Sequence, residues 1–261
     1  MLALFTDTPQ SPVEEPSMEG GYLEIRSPRD PIRSQLSRLE ENPFWNKSSE
    51  PELKVHRIHA YPAKFPAFIA TKALAFAKSE GVRVRTIGDV FCGCGTVAFE
   101  ARRNAIDFWG CDINPVATLI ASTKSKSYSP SKLNRHHENI VGAFRDAGAE
   151  VDLSDAAVAR LRYWYSDKQF RDLAKLLNAI TYCTSARSRY RNFFLCAFSN
   201  ILKSTSRWLT KSIKPQVDPQ KRPAHVMGAF AKQFTLMADA WEETRLPSKS
   251  TARILNAVGA T

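Results

Sequence analysis

The 261 residues are 43% hydrophobic and 10% aromatic, enough apolar side chain for one large domain or two small ones, which excludes a wholly disordered or fibrous chain. No stretch approaches the length of a membrane span, and the opening MLALFTDTPQ lacks a basic flank and reaches Asp7 too early for a signal peptide, so the expectation is a cytoplasmic protein with no membrane partner. Thirty-seven Lys and Arg against 26 Asp and Glu give a formal charge of +11, and five cysteines without framework spacing (Cys92, Cys94, Cys111, Cys183, Cys196) read as free thiols.

Residues 1–50 hold nine acids and five bases, are rich in Pro and Ser, and show no sustained apolar period, so they read as a flexible N-terminal extension with Phe44 and Trp45 as its only anchors. From Pro66, FIATKALAFAK has helical spacing behind a first-turn proline, with Gly81 as a stop. Residues 84–90 alternate and are β-branched, FCGCGT is a turn, TVAFEARRNA is helical, residues 107–112 are a second strand, and Pro115 opens another helix. This β-α-β-α order over 51–128 has the connection lengths of an open parallel sheet.

Beyond Tyr128 the strand signals stop. Segments 131–147, 166–184, 187–204 and 223–243 read as amphipathic helices, the second opened by a capping box of Ser166 and Gln169, so 129–247 is expected to be a basic helical insertion. Residues 248–261 then begin to look like a further strand. Within 185–223, nine bases (Arg187, Arg189, Arg191, Lys203, Arg207, Lys211, Lys214, Lys221, Arg222) meet one acid, Asp218, a density that favours a polyanion through counterion release. Phe193, Phe194 and Phe198 read as core. Trp164, Tyr165 and above all Trp208 are the candidates for stacking on bases, and His136 and His137 read as solvated.

The strongest local feature is Asp89-Val-Phe-Cys-Gly-Cys-Gly-Thr96 with Asp112 closing the next strand. Glycines at 93 and 95 permit a sharp strand-to-helix turn and close approach to a ligand, and a carboxylate seventeen residues after Gly95 suits a ribose diol. No Gly-Lys-Ser/Thr follows, and position 98, where a dinucleotide site wants its third glycine, is Ala98, so the ligand expected is a nucleoside without an obligatory phosphate. Cys92 and Cys94 are one residue apart with no second pair at ligand spacing, so no metal is expected.

Phe91-x-Gly93-x-Gly95-Thr96 followed by GCDINPVA (Gly110 to Ala117) resembles the S-adenosylmethionine site of bacterial DNA amino-methyltransferases, usually written DPFCGSGT and GIDINP. His59-Ala-Tyr-Pro-Ala-Lys-Phe-Pro66 resembles the HPYPAKFP segment that precedes that site in many members. Val90 stands in place of the family's proline, Cys94 of its serine and Ala60 of its proline. The resemblance, specific over about 55–128, implies an α/β fold: a partial Rossmann-like methyltransferase sheet with an α-helical insertion. It implies S-adenosyl-L-methionine as cofactor, held by His59, Tyr61, Pro62, Ala63, Lys64, Phe65, Asp89, Phe91, Cys92, Gly93, Gly95, Thr96, Asp112, Ile113 and Asn114. It also implies double-stranded DNA as partner, contacted by Arg187, Arg189, Arg191, Arg207, Lys211, Lys214, Lys221 and Arg222.

That family aligns the exocyclic amine of a flipped base with an Asp/Asn/Ser-Pro-Pro-aromatic segment. None of the fifteen prolines here is followed by another proline or by cysteine. The catalytic residues are therefore unknown, and the expectation is the cofactor-binding portion or subunit of a restriction-modification type enzyme, cytosine-N4 before adenine-N6. The chain alone is expected to be inactive, the missing motif being either carried by a second subunit or lost by truncation. Two rivals stay open: a methyltransferase for RNA or another substrate, and a non-catalytic DNA-binding subunit that keeps the cofactor fold.

Overall fold

The computed structural model describes residues 43–46, 51–62, 64–209, 214–244, 246–247 and 249–256. All of these but Pro43 fall in the compact unit that begins at Phe44. The expected extension over 1–50 thus lies outside the described residues except at 43–46. There the Phe44 and Trp45 rings meet edge to face at 5.0 Å, and Trp45 lies 6.1 Å from Phe76.

The helices are α1 (Ala67–Ser79), α2 (Thr96–Arg103), α3 (Pro115–Lys124), α4 (Pro130–Asp146), α5 (Asp155–Trp164), α6 (Asp167–Cys183), α7 (Arg189–Thr205) and α8 (Val226–Glu242). The strands are β1 (Thr86–Asp89), β2 (Asp107–Asp112) and β3 (Ala252–Asn256). Local chemistry sets the helix starts. Asn114, Ser154, Ser166 and Ser188 each accept a first-turn N–H, and α3 carries a proline at its first turn. The capping box expected at Ser166 is half made: Ser166 accepts the Gln169 N–H, but the Gln169 amide donates outward to the Ala224 carbonyl at 3.0 Å. Helix α5 has no counterpart in the periodicity because none of its residues is fully buried.

The sheet is parallel throughout, in order β1-β2-β3, with Asp89 paired to Gly110 and Gly110 to Ile254. β3 lies beside β2 after a connection that contains all of α3 to α8. Helices α2 and α3 pack on the face that carries Phe108, Ala252 and Ile254. The opposite face shows Trp109 at 38% and Leu255 at 36% exposure, and among the described residues β1 is paired on one side only. The sheet is thus covered by helices on one face among the described residues, where a Rossmann-like sheet has them on both.

Its own core is small: Cys92, Ala98, Ala101, Phe108 and Ala121. The main core lies between helices and joins Val55, Ile58, Phe99 and Ile120 to Leu176, Ile180, Phe193, Phe194, Phe230 and Met237. Tyr128 lies in the loop between α3 and α4 and packs against this core. The Arg102 guanidinium reinforces the join, donating to the Ser125 carbonyl at 2.6 Å and to the Pro247 carbonyl at 2.8 Å. His136 and His137 are half-buried, correcting the solvated reading: the His137 ring stacks on Phe234 at 4.0 Å, and burial pushes its pKa down. Helix α4 turns that face toward α8, so an imidazole serves as a flat packing surface.

Candidate functional site

Asp89 ends β1 and its Oδ1 accepts the N–H of Phe91 at 3.0 Å, starting a tight turn. Cys92 donates its N–H to the Cys111 carbonyl at 3.0 Å, tying the turn to β2. Gly93 and Gly95 follow with φ of +49° and +74°, a region that L side chains enter at a cost. A Cβ on Gly95 would also stand 2.6 Å from Ala121, because α2 and α3 touch there. Gly95 is the N-cap of α2, so no side chain caps the first N–H groups of that helix. Thr96 is 2% exposed, and its Oγ1 is buried without a partner. The turn leads the backbone from the end of β1 straight into the uncapped N-terminus of α2.

The second wall is Asp112. Its Oδ2 accepts the Gly93 N–H at 2.9 Å and its Oδ1 accepts the Asn114 N–H at 2.8 Å, leaving each oxygen a further lone pair. Asn114 in turn accepts the Val116 N–H at 2.9 Å, capping α3. The Tyr61 phenol lies near the Asn114 side chain and the Asp112 carboxylate. Burial first, then that carboxylate, push its pKa up. The segment around Tyr61 thus reaches the same corner as the glycine turn. Phe91, 86% exposed, and Ile113, 73% exposed, follow the C-terminal ends of β1 and β2 and offer apolar surface at that end of the sheet.

The rest of this segment is anchored to the helices. His59 Nε2 and Ser199 Oγ are 3.1 Å apart, the Ala60 N–H donates to Asn200 Oδ1 at 2.9 Å, and Gln233 donates to the Ile58 carbonyl at 2.6 Å. Burial, with Lys124 adding to it, lowers the His59 pKa to about 4, so its ring is neutral, and its buried Nδ1 has no partner. Lys64 is committed to Glu52 and to the His56 carbonyl. Pro62 and Phe65 are exposed, and Ala63 lies outside the described residues. Burial pushes the Cys92 thiol up to about 12, which keeps it protonated and inert. Among the described residues, no group of three His, Cys, Asp or Glu side chains is placed to hold a metal ion.

Sequence reasoning missed Lys124. The side chain is 1% exposed, and its Nζ donates to Cys94 Sγ at 3.5 Å, directly behind the glycine turn. The available signal is position: Lys124 stands four residues after Ile120 and seven after Ala117, on the buried stripe of α3.

The basic block divides by function. Arg191 donates to the carbonyls of Thr181 and Thr184 at the end of α6 and to Thr184 Oγ1 at 3.2 Å. Arg207 donates to the Arg162 and Tyr163 carbonyls of α5 at 2.8 and 2.7 Å, and Lys221 to the Lys203 and Trp208 carbonyls at 2.9 and 2.8 Å. These three cations close helix C-termini, where carbonyls lack intrahelical partners. Arg187, Arg189, Lys214 and Arg222 are exposed, and Lys211 lies outside the described residues. Trp208 does not stand free for stacking as expected: it is half-buried, stacked on Trp164 with centroids 5.1 Å apart, with Lys203 over its ring. Tyr165 is buried and donates its hydroxyl to the Leu202 carbonyl at 3.1 Å.

No family model and no solved structure matches this chain. Over 165 residues, 61% of the chain, it is 22% identical to the type II methyltransferase M.MvaI of Kocuria varians. The match takes in 36% of that protein, so the chain spans about a third of the length of this curated relative, of which it is a distant homologue.

Proposed function

We propose that this chain is the cofactor-binding portion of an S-adenosylmethionine-dependent DNA amino-methyltransferase that acts on cytosine N4 in preference to adenine N6. The observation that carries this reading is the meeting of two sequence-distant motifs on one corner: Gly93 bonds Asp112, and the Tyr61 phenol lies beside Asn114 and Asp112. The distant likeness to a type II methyltransferase points the same way.

The residues present fit a nucleoside with an amino-acid tail. Asp112 keeps two lone pairs for ribose hydroxyls, Phe91 and Ile113 supply apolar surface for a purine, and Gly93 and Gly95 let the backbone approach without a Cβ in the way. Thr96 Oγ1 and the first N–H groups of α2 are donors for a carboxylate. When bound, the cofactor supplies an electrophilic methyl group on sulfonium sulfur. The chain's own work is to orient it: Asp112 fixes the ribose, and the 59–65 segment, anchored through Ser199 and Asn200, covers the tail. The exposed Arg187, Arg189, Lys214 and Arg222 are assigned to DNA phosphates.

The amine-binding Pro-Pro-aromatic segment is absent from the 261 residues, so the acceptor pocket is assigned to further polypeptide. The test is transfer of labelled methyl groups to duplex DNA or to RNA, with and without a polypeptide carrying that segment. The reading expects calorimetric binding of S-adenosylmethionine by the chain alone and incorporation into DNA only in the mixture. Absence of cofactor binding, or incorporation into RNA alone, overturns it.

A further inference from the structure

A lysine buried to 1% exposure ordinarily has a carboxylate beside it, because an ammonium in a low-dielectric interior costs several kcal/mol unless paired. Lys124 enters no ion pair among the described residues, and its hydrogen-bond partner is a thiol, a weak acceptor. The buried carboxylate of Glu100 is spent elsewhere, pairing with His56 at 2.9 Å and with Arg103 at 2.9 Å. The groups that sense the Lys124 charge are Lys64, the imidazoles of His56 and His59, and the thiols of Cys94 and Cys196. Burial pushes the Lys124 pKa down, and among the described residues no carboxylate is placed to hold its charge, so an anion brought in by a ligand would favour the ammonium.

What lies next to it is the glycine turn. Cys94, the partner of Lys124, is followed by Gly95 and Thr96, where the N-terminus of α2 adds its own partial positive charge and the buried Thr96 hydroxyl has no partner. The lysine, the helix terminus and the orphan hydroxyl meet at one turn, and all three favour an anion beside it. Because Lys124 is out of solvent, its field is little screened there.

Resting on the cofactor reading above, we infer that Lys124 is the buried counter-charge for the α-carboxylate of bound S-adenosylmethionine, a positioning residue that acts through the Cys94–Thr96 turn while Thr96 and the α2 N–H groups bond the carboxylate directly. It draws the methionine tail to one end of the turn and so sets the direction in which the sulfonium methyl points. The thiol at 94, where the resembling family has serine, leaves that ammonium without a strong acceptor of its own.

The test uses two ligands that differ in the carboxylate alone: S-adenosylmethionine and decarboxylated S-adenosylmethionine, titrated calorimetrically into the full chain. The parent chain should bind the first about tenfold more tightly, and Lys124→Met should cut that preference severalfold while leaving the decarboxylated ligand unchanged. Replacing a buried charge by an apolar side chain of similar volume is commonly neutral or stabilising, and Lys124→Gln is the second variant should Met fail to fold. Melting temperatures are read alongside. Equal loss for both ligands would assign Lys124 a purely structural role, and loss for neither would remove it from the site; either overturns the inference. A parent chain that binds both ligands equally also overturns it while sparing the cofactor reading, whereas one that binds neither overturns both.

Discussion

The amide of Gly93 donates to Asp112 Oδ2 at 2.9 Å across nineteen residues of chain, so the glycine turn after β1 and the carboxylate that ends β2 form one unit. The same carboxylate holds the Asn114 N–H through its other oxygen and so fixes the start of α3. Asp112→Ala should therefore act twice: it removes the acceptor proposed for the ribose diol and frees two backbone donors. Affinity for S-adenosylmethionine should fall by about 1–3 kcal/mol, with a smaller loss for Asp112→Asn, which keeps one carbonyl oxygen. Calorimetric titration of folded variants checks this, and unchanged affinity would remove Asp112 from the site.

Gly95→Ala tests the turn itself. The added methyl would face Ala121 at 2.6 Å from a backbone held at φ +74°, so left-handed strain and overpacking add, for a cost of about 2–4 kcal/mol. Thermal denaturation should show a clearly lowered midpoint together with lost cofactor binding. A variant as stable as the parent would mean that α2 and α3 separate at little cost.

The arginines of the basic block should part company on substitution. Replacing the exposed Arg187 and Arg189 with alanine should leave stability unchanged and lower the slope of log K against log salt for duplex DNA by about 1.8, since each phosphate no longer neutralised takes about 0.9 from it. Arg191→Ala should instead cost about 1–3 kcal/mol of stability, because three acceptors at the end of α6 lose their charged donor. Denaturant titration and salt-dependent DNA titration of both variants make the comparison. The reverse pattern would assign Arg191 to DNA and the other two to the fold.

His59 gives a pH dependence of known sign. In the unfolded chain its imidazole takes up a proton near its ordinary value of 6.5, whereas burial holds the folded value at about 4. Between those two values the unfolded state binds more protons, so stability is at its full value above about 6.5 and is lost progressively as the pH falls toward 4. His59→Gln should flatten that part of the profile, as followed by urea midpoints at several pH values. A parallel shift with undiminished slope would point to other groups.

Most elements were legible in the sequence because their causes are local. The spacing of apolar residues along α4, α6, α7 and α8, the proline at the start of α3, and the glycines at 93 and 95 act within a few residues, where period and backbone freedom can be read directly. The residues of the candidate site were legible for the same reason, since they lie in two short runs. Their convergence was not: Tyr61 meets Asn114, and His59 meets Ser199 140 residues away, only once α7 has packed against the loop that carries them. The same limit governs the charges. Arg187 and Arg191 are alike in composition and four residues apart, yet Arg187 stands exposed in the turn before α7 while the first turn of α7 sets Arg191 onto the carbonyls that end α6. Lys124 is the extreme case. Its place on the apolar stripe of α3 could be counted from the sequence, but that the stripe would close over an ammonium with only a thiol for company was decided by the packing of α3 between the glycine turn and α7.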